Sequence, residues 1–326
     1  MAGIAGKKQK ANAVFEGGGI KGIGIAGALS VASEHYSWMY AAGTSAGAIV
    51  ASLVAAGYTA EEIRDLIFSI DYRRFEDNDM VGKLPLFGPA WNLKVNLGLY
   101  KGDYIENWVR EALKSKGIES FGDLVVVNRS TTDFPGRYRL RVIASDITAG
   151  KMLVLPQDIS RYGIDPDKLE VATAVRMSIS IPFFFEPVQV THKGEDGREL
   201  NSCIVDGGLL SNFPVWLFDD CSGLKIMPTI GFKLTGPNEE RRQDIDSPIS
   251  MLKALFGTML EAHDNRFVEE KNFKRTITIP TMGIRATDFG ISEERIRSLY
   301  DSGVAAARDF FKDWNYRYYL LKYGHR

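Results

Sequence analysis

Three short stretches of this 326-residue chain carry residue types that could act together on a carbonyl carbon. The first is Gly43-Thr44-Ser45-Ala46-Gly47. A G-x-S-x-G run between a strand and a helix is a nucleophile elbow, in which the serine occupies a sharp turn and only small neighbours fit. Ala42, Gly43, Ala46 and Gly47 are all small. The following helix directs its positive end toward Ser45, where negative charge would develop. The second stretch is Glu16-Gly17-Gly18-Gly19-Ile20-Lys21-Gly22. Gly17, Gly18 and Gly19 can aim bare N–H groups at an anion, with a helix N-terminus behind them. Beside a nucleophilic serine, that anion would be the oxyanion of a tetrahedral intermediate. The third is Asp206-Gly207-Gly208, after a short apolar run. It reads either as an ordinary Asp-Gly turn or as an acid held at the carboxyl end of a strand.

Two other arrangements compete. The order Ser45, Asp206, His263 is that of an α/β-hydrolase triad, and a Ser-Asp-His esterase or thioesterase is one alternative. His263, however, falls inside the helical pattern "MLKALFGTMLEAHDNRF", whereas a triad histidine sits on a loop. His35, His192 and His325 have no better placement. The glycines also match a dinucleotide fingerprint, as Gly17-x-Gly19-x-x-Gly22 and again as Gly22-x-Gly24-x-x-Gly27. That oxidoreductase reading requires an acid at the end of the second strand. Gly43-Thr44-Ser45 occupies the place, and Glu34 precedes that strand. Gly24 and Gly27 are accounted for by close helix–sheet packing.

These residues must be held by regular elements. Apolar runs predict strands over 11–15, 38–42, 138–147, 202–205, 228–233 and 275–279, with 151–155 as a hairpin partner. "FFFEPVQV" reads as one further strand-like run. Helical periodicity predicts helices over 22–33, 48–56, 60–70, 103–114, 169–178 and 248–268, and a last helix after Ser292. Strand–loop–helix alternation implies an α/β domain with a mostly parallel central sheet. Residues 71–102 break the rhythm with a long apolar loop, suited to a lid or an interfacial patch. No repeat or linker divides the chain. The expected organisation is a disordered tail over 1–11, a catalytic core over 12–235, and a C-terminal extension over 236–326 on the same domain.

Composition excludes several classes. Forty basic residues against 41 acidic ones give no field favouring nucleic acid. Two cysteines provide neither a disulfide framework nor a metal spacing, and no cofactor is implied. Lys7, Lys8 and Lys10 are not followed by the apolar segment of a Sec-type signal peptide. No run approaches the roughly 18 apolar residues of a membrane span. The expectation is a soluble protein, cytoplasmic or peripheral to a membrane, with non-classical export left open. The C-terminal "FFKDWNYRYYLLKYGHR" mixes aromatic and basic residues, and reads as either an interfacial anchor or a docked helix.

Taken together, the motifs resemble the patatin-like phospholipase family, in its bacterial-type form. "EGGGIKG" is similar to the family's G-G-G-x-[K/R]-G motif, "GTSAG" to its nucleophile elbow, and "DGG" followed by "LLSNFP" to its acid motif. "ATAVRMSISIPFFFEPV" resembles the segment preceding that acid. The likeness covers about residues 12–235. Glu16 stands where aspartate is common, and Lys21 where arginine is common. The resemblance implies a single three-layer α/β domain, with helices on both sides of the sheet. It also implies a lipid acyl hydrolase of phospholipase A or lysophospholipase type, using a serine–aspartate dyad without histidine. Ser45 is then the nucleophile and Asp206 its general base or its orienter. Gly17, Gly18 and Gly19 form the oxyanion hole, with Ala46 as a further donor. Lys21, Gly22, Gly43, Gly47, Gly207 and Gly208 support the motifs. The expected partner is a membrane or micellar lipid, approached through 71–102 and the C-terminal segment.

Overall fold

The computed structural model describes residues 8–75, 97–126, 136–194, 196–219, 227–236 and 270–323, with isolated positions between 245 and 258. Strand β1 (Gln9–Phe15) leads through the glycine loop into helix α1 (Gly22–His35). β2 (Tyr36–Thr44) then runs into α2 (Ala46–Ala55). This β-loop-α unit, twice repeated, is what the apolar periodicity requires. β1 begins at Gln9 and pairs with β2 from that residue, so the strand takes in part of the stretch expected as a tail. Thr59 and Glu62 form a capping box that starts α3 (Ala60–Ser69). A short 3-10 turn, Tyr72–Phe75, follows it.

β3 (Gly98–Tyr100) and α4 (Asp103–Ser115) come next. Then come β4 (Leu140–Asp146), β5 (Lys151–Leu155) and α5 (Val171–Ser178). β6 (Phe183–Phe185), β7 (Val188–Lys193), β8 (Glu199–Asp206), β9 (Thr229–Thr235) and β10 (Thr276–Pro280) complete the strands. The chain finishes with α6 (Glu293–Asp313) and α7 (Tyr316–Tyr323). The helix expected over 248–268 lies almost wholly outside the described residues, as does 76–96 of the apolar loop.

The central sheet runs β10-β9-β1-β2-β4-β8-β7, with β5 also on β4. Every pairing from β10 through β4 is parallel, while β5, β7 and β8 enter antiparallel. The parallel half is the one expected, and the hairpins add an antiparallel edge. "FFFEPVQV" is not one strand. Pro187 has no N–H to donate and divides the run. Phe183–Phe185 pairs with β3 in a separate two-stranded sheet, and Val188–Lys193 joins the main one. β8 starts at Glu199, three residues before the apolar run, because its first half pairs only with β7 and its polar side chains face outward.

Alternation along β1 divides the interior. Ala11, Ala13 and Phe15 join the large core under α1, α2 and α5, while Val14 faces a smaller core with Tyr40, Ile143 and Phe218. α6 lies against α1 at a close crossing: a Cβ on Gly27 would come 2.0 Å from the Tyr300 carbonyl oxygen, and one on Gly303 would come 1.9 Å from that of Gly24. The glycines expected to serve helix–sheet packing thus mainly serve a helix–helix contact. At the C-terminus, Trp314 donates to the Tyr36 hydroxyl at 2.7 Å, whereas Tyr318 and Leu321 remain exposed. Among the described residues, no helix is long and apolar enough to cross a membrane.

Candidate active site

Strand register brings the two chemical side chains together. On β4, Leu140 to Ile143 pair with β2, and Ala144 to Asp146 pair with β8. β5 pairs with Val142 through Asp146, so it occupies the opposite edge. β2 and β8 therefore share one edge of β4 and run toward each other end to end. Thr44 is opposite Ile143 and Asp206 is opposite Ala144. The residue after Thr44 is Ser45, and its hydroxyl comes close enough to the Asp206 carboxylate to lower that group's pKa.

Ser45 has φ 53° and ψ −127°, which is rare for a residue with a Cβ. Such backbone costs on the order of 1–3 kcal/mol and persists only where its surroundings hold it. Three features hold it here. The Ser45 N–H donates to Ser178 Oγ at 2.9 Å, and that hydroxyl in turn donates to the Ile143 carbonyl at 2.5 Å. Gly43 and Gly47 let the strand and helix fold tightly over one another, since a Cβ on Gly43 would lie 2.3 Å from the Gly47 carbonyl oxygen. Gly47 itself crosses the end of β1, where a Cβ would meet the Phe15 carbonyl oxygen at 2.3 Å.

Asp206 is 1% exposed. Its Oδ1 accepts the Gly208 N–H at 2.7 Å, and its own N–H donates to the Ser180 carbonyl at 2.9 Å. Burial pushes its pKa up to about 7, against the nearby Ser45 hydroxyl and the Gly208 N–H, which pull it down. Gly207 packs against the Ile143 carbonyl. The same carbonyl thus abuts the acid's turn and anchors Ser178, which holds the serine's backbone.

The glycine loop lies against Ser45: a Cβ on Gly17 would stand 3.1 Å from the Ser45 Cβ. The Gly17 N–H is already engaged, donating to the Asn212 carbonyl at 3.1 Å, while Asn212 Nδ2 donates to the Gly17 carbonyl at 3.2 Å. Among the described residues, neither the Gly18 nor the Gly19 N–H donates to another backbone group. Gly19 has φ +56° and opens a 3-10 turn, Gly19–Lys21. Gly22 abuts Ala46, so the N-termini of α1 and α2 converge beside the serine. Both contribute partial positive charge there. Glu16 is fully buried, accepts the Leu234 N–H, and pairs with Lys233 at 3.2 Å. The loop is thereby tied to β9. Lys21 closes the 3-10 turn and makes no ion pair among the described residues.

An apolar pocket opens at Ser45. Ile49, Val50, Ile67, Phe75, Ile105 and Phe289 line it. Among the described lining residues away from Ser45, the one polar side chain is Tyr72, whose hydroxyl donates to the Ile67 carbonyl at 2.9 Å.

Ser45, Asp206, Gly17, Gly18, Gly19, Gly22, Ala46, Gly43, Gly47, Gly207 and Gly208 are thus brought together, with Lys21 at the rim. Neither described histidine joins them. His35 stacks on Phe311 at 4.1 Å, and His192 contacts Ser202 and Tyr162. His263 and His325 lie outside the described residues. Sequence reasoning did not single out Ser178, Asn212 or Phe289. Ser178 and Asn212 sit inside motif-flanking runs, "RMSISIP" and "LLSNFP". Phe289 lies in "TDFGIS", a run that resembles bacterial family members only loosely and carries no catalytic spacing.

A strained serine, a buried acid beside it and an adjoining glycine loop thus lie together on an α/β sheet. The sequence profile described as patatin-like phospholipase matches residues 13–219, and the chain belongs to that family of hydrolases. The uncharacterised protein YqhO of Bacillus subtilis is 42% identical over 306 residues, covering 93% of this chain and 98% of its own. The protein 463L of Invertebrate iridescent virus 6, named a probable lipid hydrolase, is 27% identical over 62% of this chain and 61% of its own. The crystal structure of VipD from Legionella pneumophila shares the fold, with a TM-score of 0.51 at 15% identity, over 94% of this chain and 67% of that one.

Proposed function

We propose that the protein is a lipid acyl hydrolase that cleaves fatty-acyl esters through a serine–aspartate dyad. The observation that carries this reading is the strained Ser45 at an apolar pocket, with the buried Asp206 carboxylate beside it. Ser45 Oγ attacks the ester carbonyl while Asp206 takes its proton. The oxyanion is held by the N–H groups of Gly18 and Gly19, with that of Ala46 at the start of α2. Collapse expels the alcohol, which takes the proton back from Asp206. Water, deprotonated by the same carboxylate, then releases the fatty acid from Ser45. The acyl chain lies in the apolar pocket, and Lys21 offers a cation to a phosphate in the head group. Contact with a lipid surface is assigned to the 71–102 segment and to the C-terminal helix, through Tyr318 and Leu321.

The test is activity on a panel of phospholipids, lysolipids and glycerides, combined with a fluorophosphonate probe. Release of fatty acid, and a covalent adduct on Ser45, are the expected results. Lipid in liposomes should turn over faster than the same lipid dispersed as monomers. A protein that neither releases fatty acid nor takes up the probe contradicts the proposal.

Ser178 is a positioning residue in this scheme. Ser178→Ala removes the acceptor of the Ser45 N–H and leaves a buried donor unpaired, which costs about 1–3 kcal/mol. The expected result is a fall in kcat of about tenfold or more with KM nearly unchanged, and partial rescue by Ser178→Thr. Wild-type kcat in Ser178→Ala would show that the elbow does not depend on this bond.

A further inference from the structure

One wall of the pocket comes from outside the family-matched region. Residues 281–289 follow β10 and form a self-tied loop. The Thr281 N–H donates to the Thr235 carbonyl, Ile284 to Thr281 and Phe289 to Thr287, each at 2.9 Å. The Arg285 N–H donates to Asp288 Oδ2, also at 2.9 Å. The loop touches the catalytic region at two points. The Ile20 N–H donates to the Ala286 carbonyl at 3.0 Å, which braces the turn carrying Gly19. Phe289, 4% exposed, lines the pocket and meets Phe75 at 5.3 Å and Phe184 at 5.4 Å.

We propose that Phe289 is the specificity-determining residue of the site, setting the size of acyl chain that the pocket accepts. The inference rests on the reading of the pocket as the acyl site. Much of the remaining lining comes from α1, α2, α3 and α4, whose side chains carry the core, and Phe289 packs into that core from a loop. Phe289 is delivered by a loop closed by its own hydrogen bonds, so its ring can change without rebuilding a helix. A smaller side chain adds space that an apolar chain can fill, worth about fourfold per buried methylene. A larger one removes it. The ligand is an apolar acyl chain, because the described walls are apolar away from Ser45 except for Tyr72, whose hydroxyl is satisfied.

The experiment measures kcat/KM on p-nitrophenyl esters from butyryl to palmitoyl, for the wild type, Phe289→Ala and Phe289→Trp. Phe289→Ala is expected to raise the ratio of long-chain to short-chain activity by about tenfold, and Phe289→Trp to lower it. A merely structural role would scale all chain lengths alike, and that result in both variants overturns the proposal. Should Phe289→Ala fail to fold, Phe289→Leu and Phe289→Trp read the same ratio in opposite directions. Fatty-acid binding to the same variants, from butyrate to palmitate by calorimetry, separates the two readings. If no ester is cleaved but the binding profile shifts with residue 289, the hydrolase reading fails and the pocket assignment stands. If neither profile shifts, the assignment of Phe289 fails.

Discussion

Ser45→Ala should lower acyl-ester hydrolysis by roughly four to six orders of magnitude, leaving only what positioning and the oxyanion donors supply. Among the described residues, the nearest hydroxyl bonded to the elbow cannot replace it. Ser178 Oγ accepts from the Ser45 N–H and donates to Ile143, so it is committed to the backbone. The fold should survive. Alanine keeps the Cβ that the elbow already accommodates at φ 53°, and the Ser45 N–H bond involves no side-chain atom. A melting temperature within a few degrees of wild type, with loss of both activity and probe labelling, is the expected pattern. Residual activity above about one per cent would place the nucleophile elsewhere.

Asp206→Asn should cost roughly three to four orders of magnitude and also remove the pH dependence. Asparagine keeps the acceptor for the Gly208 N–H but cannot take the proton from Ser45. In the wild type, burial raises the carboxyl to about 7. The base is the ionised form, so kcat/KM should climb about tenfold per pH unit below 7 and level off above it. Stability runs the other way. The folded state holds the Asp206 proton more tightly than the unfolded chain does. This contribution is present below the ordinary carboxylate range and is lost as pH rises through about 7. Asp206→Asn should therefore raise the melting temperature more at pH 8 than at pH 5. A pH–rate profile unchanged by the substitution would assign the ionisation to another group.

The parallel half of the sheet was legible because β1, β2 and β4 are apolar runs, each bounded by turn residues. The antiparallel edge was not. Glu199, Leu200 and Asn201 form a two-stranded ribbon with β7, where the apolar signal is weak. Pro187 could have divided "FFFEPVQV", since a proline inside a run marks a strand end. Ser45, Asp206 and the glycine loop were visible because elbow, acid turn and anion cradle each require small residues at fixed spacing. That the Gly17 N–H is taken by Asn212 was not visible, since both residues read as ordinary motif neighbours.

The sequence by itself determined the chemical repertoire. Gly43, Gly47 and the flanking strand–helix pattern leave Ser45 little choice but a strained turn, because any larger neighbour would collide with backbone. Tertiary structure alone decided the partnership. Ser45 and Asp206 lie far apart in the chain and meet because β2 and β8 end at consecutive residues along one edge of β4. Only the folded chain buries that carboxylate, and burial is what raises its pKa to about 7. Only folding brings Phe289 from the C-terminal loop to a pocket built mainly by the N-terminal half. Such contacts depend on register and packing between distant segments, which short-range periodicity does not encode.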